Sequence, residues 1–174
     1  MNLDEILLIF CQYGFRKASM DDIARAAGLS RQSIYKKFGS KQGIFEWTLA
    51  ELTARTFKSA MMALDDAEAT VSDRIANAFD RWAGEYVPLL SGTPHGAEMF
   101  ERAMEFYSKD GHEGEDEFYS AVEALMLDAG MAKTPQDAAD KVYTLAVSAK
   151  GLLLRCRTKQ AFHDDMIRIL KAII

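Results

Sequence analysis

Apolar residues recur at intervals of three and four positions along most of the chain, which is the spacing of one side of an α-helix. The segment that begins at Leu3 shows the pattern with Ile6, Leu7 and Phe10. No segment alternates polar and β-branched residues as a half-buried strand does, and the prolines lie only at 88, 94 and 135. The pattern therefore predicts an all-α protein.

Capping residues and glycines divide this pattern into helices. Ser19 and Ser30 are predicted N-caps, and Gly14, Gly28 and Gly39 are expected to end helices. The first four predicted helices run from Leu3 to Gly14, from Ser19 to Gly28, from Ser30 to Gly39 and from Ser40 to about residue 65. The later ones cover 71–87, 95–108, 115–129, 135–157 and 160–173, with breaks at Pro88, Gly92 and Pro94, at Gly111 and Gly114, and before the Thr134-Pro135 pair.

Two of the short helices, separated by residues 28–30, form a helix-turn-helix candidate. On the second helix, Ile34 and Phe38 share one side at 100° per residue. Amide, hydroxyl and ammonium groups lie on the opposite side, from Gln32, Ser33 and Lys36. A solvated polar face is the alternative interpretation, but the cap, the glycine turn and the basic face occur together.

These side chains suit the major groove of DNA, where Gln pairs with adenine and Lys or Arg with guanine. We predict base contacts from Arg31, Gln32, Ser33 and Lys36, and phosphate contacts from Ser19, Tyr35, Lys37 and Lys41. The full predicted DNA-binding set is Ser19, Ser30, Arg31, Gln32, Ser33, Tyr35, Lys36, Lys37 and Lys41.

The charge is distributed in agreement with this prediction. The whole chain has a net charge of −5, but residues 1–58 carry 9 basic and 6 acidic residues, and the remainder carries 12 and 20. A basic segment joined to an acidic body indicates that only the N-terminal part meets a polyanion.

Composition excludes several other classes of protein. With 174 residues, 49% of them hydrophobic, the chain can bury a core and is not intrinsically disordered. No apolar run is long enough to span a membrane, and the acidic N-terminus is unlike a secretory signal. The two cysteines, Cys11 and Cys156, form neither a zinc motif nor a disulfide framework. We therefore expect a soluble, cytoplasmic protein that does not act at a membrane.

The N-terminal segment resembles the DNA-binding domain of TetR-family transcriptional regulators. The resemblance covers about residues 3 to 50 and rests on Ala27-Gly28-Leu29-Ser30, on Ile34-Tyr35 followed by Phe38, and on Ser40-Lys41. In that family the positions of Ser19, Tyr35 and Lys41 hold phosphates. One departure is the absence of any Lys or Arg before Arg16, which removes the basic arm that often precedes the first helix.

The resemblance implies the rest of the architecture. We expect a three-helix helix-turn-helix DNA-binding domain at residues 1–45 and a helical ligand-binding and dimerisation domain at 46–174. The family implies a homodimer through the helices at 135–157 and 160–173. It also implies a ligand-responsive repressor that binds a palindromic double-stranded DNA operator.

The C-terminal part can be interpreted in two ways on its own residues. The apolar stripes of its last two helices fit either a four-helix dimer interface or ordinary intrachain core. The aromatic and methionine residues of the middle fit either core or a pocket for a largely apolar small-molecule effector. The candidate pocket residues are Met62, Phe79, Trp82, Tyr86, Phe100, Met104, Tyr107 and Met126.

No motif for catalysis or for a cofactor is present. His95 with Glu98, and His112 with Glu113 and Glu115, lack a second His or Cys at ligand spacing, so we predict no metal site. The chain has no GxSxG, HExxH or phosphate-binding glycine loop, and we do not expect an enzyme. The remaining alternative is a helical protein-interaction module without specific DNA binding.

Overall fold

The computed structural model describes residues 1–110 and 114–174, and within these residues every regular element is helical. A short 3₁₀ helix, Gly84–Tyr86, lies between α5 and α6. The α-helices are α1 Leu3–Lys17, α2 Met20–Ala27, α3 Arg31–Phe38, α4 Lys41–Leu64, α5 Val71–Trp82, α6 Val87–Gly92, α7 Gly96–Asp110, α8 Glu115–Asp128, α9 Pro135–Arg155 and α10 Lys159–Ile173. The prediction of an all-α fold is confirmed.

Most helix boundaries follow the local signals in the sequence. The hydroxyl oxygens of Ser19 and Ser30 each accept a hydrogen bond over 3.1 Å from the backbone N–H three residues later, and they begin α2 and α3. Thr134 caps α9 in the same way, with Pro135 in its first turn. Gly28 and Gly39 end α2 and α3 with φ of 66° and 71°, a backbone conformation that favours glycine.

Three predicted boundaries are wrong. Helical hydrogen bonding resumes after Gly14, whose φ of 75° makes a kink inside α1 rather than its end. The helix predicted at 71–87 ends at Trp82, because the chain turns at Ala83 into the 3₁₀ helix. Gly84 in this 3₁₀ helix allows Phe162 to pack closely, since a Cβ there would lie 2.8 Å from the Phe162 ring. The expected break at Pro88 falls within the first turn of α6, where proline is tolerated.

The first of two compact units contains residues 1–54 and the segment from Leu89 through α7. Within it α1 packs against α2 and α7. The core includes three neighbouring phenyl rings, in which Phe10 lies 4.9 Å from Phe45 and 5.7 Å from Phe15 between ring centroids. Cys11 is fully buried beside them, and burial raises the pKa of its thiol to about 11.

The second unit contains residues 55–88 and the chain from α8 onward. Its strongest helix pairings are α5 with α10, α9 with α10 and α8 with α9. Phe79 and Phe118, 5.3 Å apart between centroids, are fully buried, as is Phe162. Cys156 is also buried, and burial raises the pKa of its thiol. The functional division predicted at residue 45 does not coincide with these units and stays a prediction.

Gly14 gives the first test of this fold. Its backbone lies at φ 75° and ψ 156°, and a Cβ would meet His95 Nδ1 at 2.9 Å. We expect Gly14→Ala to lower the free energy of unfolding by about 1–3 kcal/mol, because side chains rarely adopt this conformation. Urea denaturation followed by circular dichroism measures the change.

The matched control is Gly92→Ala at the end of α6, where φ is not positive and a Cβ meets no atom within 4 Å. It should change the free energy of unfolding by no more than about 0.5 kcal/mol. Equal losses in the two variants would contradict the assigned role of the Gly14 kink.

Candidate nucleic-acid interface

The turn between α2 and α3 is closed by backbone hydrogen bonds. The N–H of Gly28 donates to Arg25 O over 3.1 Å, and the N–H of Leu29 donates to Ala24 O over 2.9 Å. These bonds satisfy carbonyl groups at the end of α2, which would otherwise lack partners. Ser30 then begins α3 at once, so the two helices are joined by three residues.

The inner side of α3 is anchored by one fully buried residue and one half-buried ring. Ile34 has no exposed surface, and the ring of Phe38 lies 5.0 Å from that of Trp47 on α4. The structure leaves the remaining side chains of the helix exposed: Arg31, Gln32, Ser33, Tyr35, Lys36 and Lys37. An eight-residue helix thus presents polar and basic groups along its outer side.

Arg31 already has an anionic partner within the chain. Its guanidinium lies 3.2 Å from Asp21 Oδ2 and 5.7 Å from the ring centroid of Tyr35. Both members of the ion pair are more than half exposed, so water and salt screen the pair. A phosphate or a base edge can therefore replace Asp21 at small cost.

The serine hydroxyls of the candidate interface act first as helix caps. Ser19 Oγ accepts from the Asp22 N–H and donates to Asp22 Oδ2 over 2.5 Å. Ser30 Oγ lies 2.8 Å from Ser33 Oγ, which places two hydroxyls side by side at the start of α3. Both caps lie at helix N-termini, where backbone N–H groups favour an anion.

Lys41 has a structural role that the sequence did not reveal. Its Nζ donates to the carbonyl oxygens of Arg16 over 2.9 Å and Ala18 over 3.0 Å, and it lies 5.2 Å from the ring centroid of Phe15. The side chain therefore joins the start of α4 to the end of α1. Its predicted phosphate contact stays a prediction.

The candidate effector residues are divided between the two compact units. Phe100, Met104 and Tyr107 lie on α7 in the first unit, and the other five lie in the second. Within the second unit, Phe79 and Trp82 lie 5.6 Å apart between centroids, whereas Met62 is 67% exposed. The structure therefore does not bring the set together within one unit, and the pocket stays a prediction.

The described residues contain no group of three or more metal-ligating side chains. His95 Nδ1 lies 2.9 Å from Glu98 Oε2, and Arg102 lies 3.4 Å from the same carboxylate. Partial burial raises the pKa of Glu98, but hydrogen bonds from His95, the Phe15 backbone and Arg102 bring it below its usual value. The ion pairs lie within residues 95–102, and the Phe15 backbone joins Glu98 to α1. The His112 candidate lies outside the described residues.

A helix-turn-helix whose second helix exposes polar and basic groups, among described residues whose regular elements are all helical, is the architecture of helix-turn-helix DNA-binding proteins. No helix among the described residues is both long and apolar enough to cross a membrane.

Comparison with known proteins supports this class. The family model described as "Bacterial regulatory proteins, tetR family" matches residues 3–47. The HTH-type transcriptional regulator AlkX of Mycobacterium tuberculosis is 43% identical over 47 residues. That match covers 27% of this chain and 22% of AlkX, so the sequence similarity is confined to the N-terminal segment.

Solved structures extend the similarity to the fold of nearly the whole chain. The TetR-family regulator PfmR from Thermus thermophilus has a TM-score of 0.63 and 18% identity, and the match covers 97% of this chain and 96% of PfmR. A TetR-like regulator from a Rhodococcus species has a TM-score of 0.65 and 20% identity, with 97% and 91% covered.

The predicted resemblance to the TetR family is therefore confirmed. Residues 3–47 match the family model, and the fold is similar to that of solved TetR-family regulators. Regulators of this family are DNA-binding transcription factors and not enzymes.

Lys41 provides a stability test of the interface. We expect Lys41→Ala to lower the free energy of unfolding by about 1–2 kcal/mol, because two carbonyl groups at the end of α1 lose a charged donor. Thermal and urea denaturation measure this loss in the absence of DNA.

Lys36→Ala is the control, since it removes the same charge from the exposed side of α3. It should change the free energy of unfolding by less than about 0.5 kcal/mol. If both variants were as stable as the parent protein, Lys41 would not anchor α1.

Proposed function

We propose that the chain is a sequence-specific transcriptional regulator, a ligand-responsive homodimeric repressor that reads a palindromic operator through α3. The observation that carries the proposal is the exposed polar and basic side of α3 opposite the buried Ile34. The regulator acts in the cytoplasm, where its operator lies. An exposed basic face of this kind favours DNA over the alternative of a protein-interaction module.

The polar groups of α3 divide into two roles. Gln32, Ser33 and Lys36 lie at the centre of the exposed side and read base edges in the major groove. Tyr35 and Lys37 lie beside them and contact phosphates, which positions the helix without reading sequence. Arg31, in the first turn of α3, leaves its ion pair with Asp21 and contacts the DNA instead.

Substitutions on α3 separate these roles. Gln32→Ala should weaken binding to the preferred duplex by about tenfold or more and relax base preference at one position, because a good base contact supplies about 1–3 kcal/mol. Tyr35→Phe should weaken binding to all duplexes by a similar factor. Fluorescence anisotropy on duplexes selected from a random pool measures both effects.

Salt dependence adds an independent readout. Lys37→Ala should reduce the slope of log K against log salt by about one, because one phosphate contact is lost. Gln32→Ala should leave that slope unchanged. A uniform loss over all duplexes in Gln32→Ala, with no change in base preference, would contradict its assigned role.

Dimerisation through α9 and α10 is supported by an exposed apolar stripe on α9. Tyr143, Val147 and Leu154 are 70%, 51% and 56% exposed in the single chain. Gly151 continues the same helical side and meets no neighbouring atom within 4 Å at its Cβ position, which leaves room for a close helix. The same stripe of a second copy of the chain packs against it. The two-fold symmetry of this dimer then presents two α3 helices to one palindromic operator.

Val147→Glu tests this interface. We expect the variant to sediment as a monomer at concentrations where the parent protein is a dimer, because a carboxylate would be buried without a partner. Ala124→Glu is the control, since it adds the same charge at an exposed position of α8. A parent protein that is itself monomeric at micromolar concentration would overturn the proposed assembly.

A small-molecule effector completes the proposed function. Binding in the C-terminal helical region shifts the dimer toward a spacing of recognition helices that no longer fits successive major grooves, and operator affinity falls. The aromatic and methionine residues in the middle of the chain favour an effector with an apolar part.

A further inference from the structure

A cleft with a volume of about 660 Å³ opens in the second unit, and the predicted effector residues contribute only Met62 to it. The end of α4 with the loop after it, the second half of α5 and the first residue of α10 form its walls. The lining residues are Ser59, Met62, Ala63, Asp66, Asn77, Asp80, Arg81 and Lys159. Its volume lies in the range of small-molecule sites.

Asp80 is the unusual group in this cleft. The residue is only 7% exposed, and its Oδ2 lies 2.5 Å from Nδ1 of His163 on α10. Its other oxygen, Oδ1, is buried and has no hydrogen-bond partner among the described residues. Burial raises the pKa of the Asp80 carboxyl, against the opposing effects of His163, Lys159 and Arg81. A buried carboxylate oxygen without a donor is costly, so the site is short of a donor or a cation.

The two positive groups of the cleft share one carboxylate. Glu85 Oε1 lies 2.9 Å from Arg81 Nη1 and 3.3 Å from Lys159 Nζ. An anion entering the cleft would compete with Glu85 for these two groups. A cation would instead meet Asp66 and Asp80 without displacing an existing ion pair with Lys or Arg.

The remaining lining residues indicate the chemical character of the rest of the ligand. Met62 and Ala63 supply apolar surface on α4, and the Met62 thioether suits contact with an aromatic ring. Ser59 and Asn77 supply polar oxygens that can accept further hydrogen bonds. A molecule with an ammonium group at one end and a short apolar or aromatic body matches this lining.

We propose that this cleft binds a small organic ammonium compound, with its cation at Asp80 and Asp66 and its apolar part against Met62 and Ala63. The binding site stands on the cleft itself, whereas its use as an effector site rests on the proposed function. An ammonium at Asp80 competes with His163 for the carboxylate. The contact between Asp80 and His163 joins α5 to α10, and α10 belongs to the proposed dimer. A ligand bound in the cleft therefore alters the helix packing that sets the spacing of the two α3 helices on the operator.

The binding test uses the full chain and three probes of similar shape. They are the cation 2-phenylethylammonium, the neutral 2-phenylethanol and the anion 3-phenylpropionate, and isothermal titration calorimetry gives each Kd. The cation should bind at least about tenfold more tightly than either of the others, because a charge-assisted hydrogen bond contributes about 1.5–3 kcal/mol. Equal affinity for the alcohol, or tighter binding of the anion, overturns the proposal.

Variants locate the site. Asp80→Asn and Asp66→Asn should each weaken cation binding by about tenfold or more, while Asp140→Asn, an exposed change of the same charge on α9, should not. His163→Gln should tighten binding, because it removes the competing partner of Asp80. If Asp80→Asn fails to fold, the loss of cation binding is measured in Asp66→Asn, because Asp66 is exposed. Wild-type affinity in Asp66→Asn overturns the site.

A final measurement separates this inference from the proposed function. The affinity for a selected duplex is measured at low salt with and without saturating 2-phenylethylammonium. Failure of the parent protein to bind any duplex overturns the proposed function and leaves the cation site intact. If the duplex affinity is the same with and without the bound cation, the effector role is overturned. The role is supported if the cation lowers the duplex affinity of the parent protein but not that of Asp66→Asn.

Discussion

The burial of one side of α3 is the contact on which the DNA-binding interpretation depends. An isolated helix of eight residues is unstable in water, because too few hydrogen bonds form after the costly first turn. Ile34, with no exposed surface, and Phe38 against Trp47 hold α3 on the first unit. The position of every polar group on its outer side therefore depends on these two apolar contacts and on the Gly28 turn.

Features set by neighbouring residues could be predicted from the sequence. The caps at Ser19, Ser30 and Thr134 and the turns at Gly28 and Gly39 each depend on three or four consecutive residues, and all of them are present in the structure. The exposed and buried sides of α3 also follow from helical spacing alone. The N-terminal helix-turn-helix was therefore accessible before any coordinates were known.

Features set by distant contacts were not accessible in this way. Helix α5 ends at Trp82, and Gly84 directly after it packs against Phe162, which lies 78 positions further along the chain. Asp80 looks like an ordinary surface aspartate in the sequence, and only the approach of His163 from α10 reveals it as a buried acid. Lys41 similarly looks like a free basic residue until its two carbonyl partners are seen.

Acidic and basic groups have different tasks in the two units. In the first, the exposed pair of Arg31 with Asp21 is weak and exchangeable, which suits a surface that must release one partner to take another. In the second, Asp80 is buried and one of its oxygens has no hydrogen-bond partner among the described residues, which suits the proposed cation site. An aspartate therefore acts as an exchangeable partner where it is exposed and as a proposed cation ligand where it is buried.

The burial of both native thiols has a practical consequence for observing the protein at work. Cys11 and Cys156 are shielded, and burial raises both of their pKa values, so neither reacts readily with maleimide reagents in the folded state. A single cysteine introduced at an exposed position of α3 would therefore be the preferred attachment point for a fluorophore. In the proposed dimer, energy transfer between one such label on each protomer would report the separation of the two α3 helices in real time.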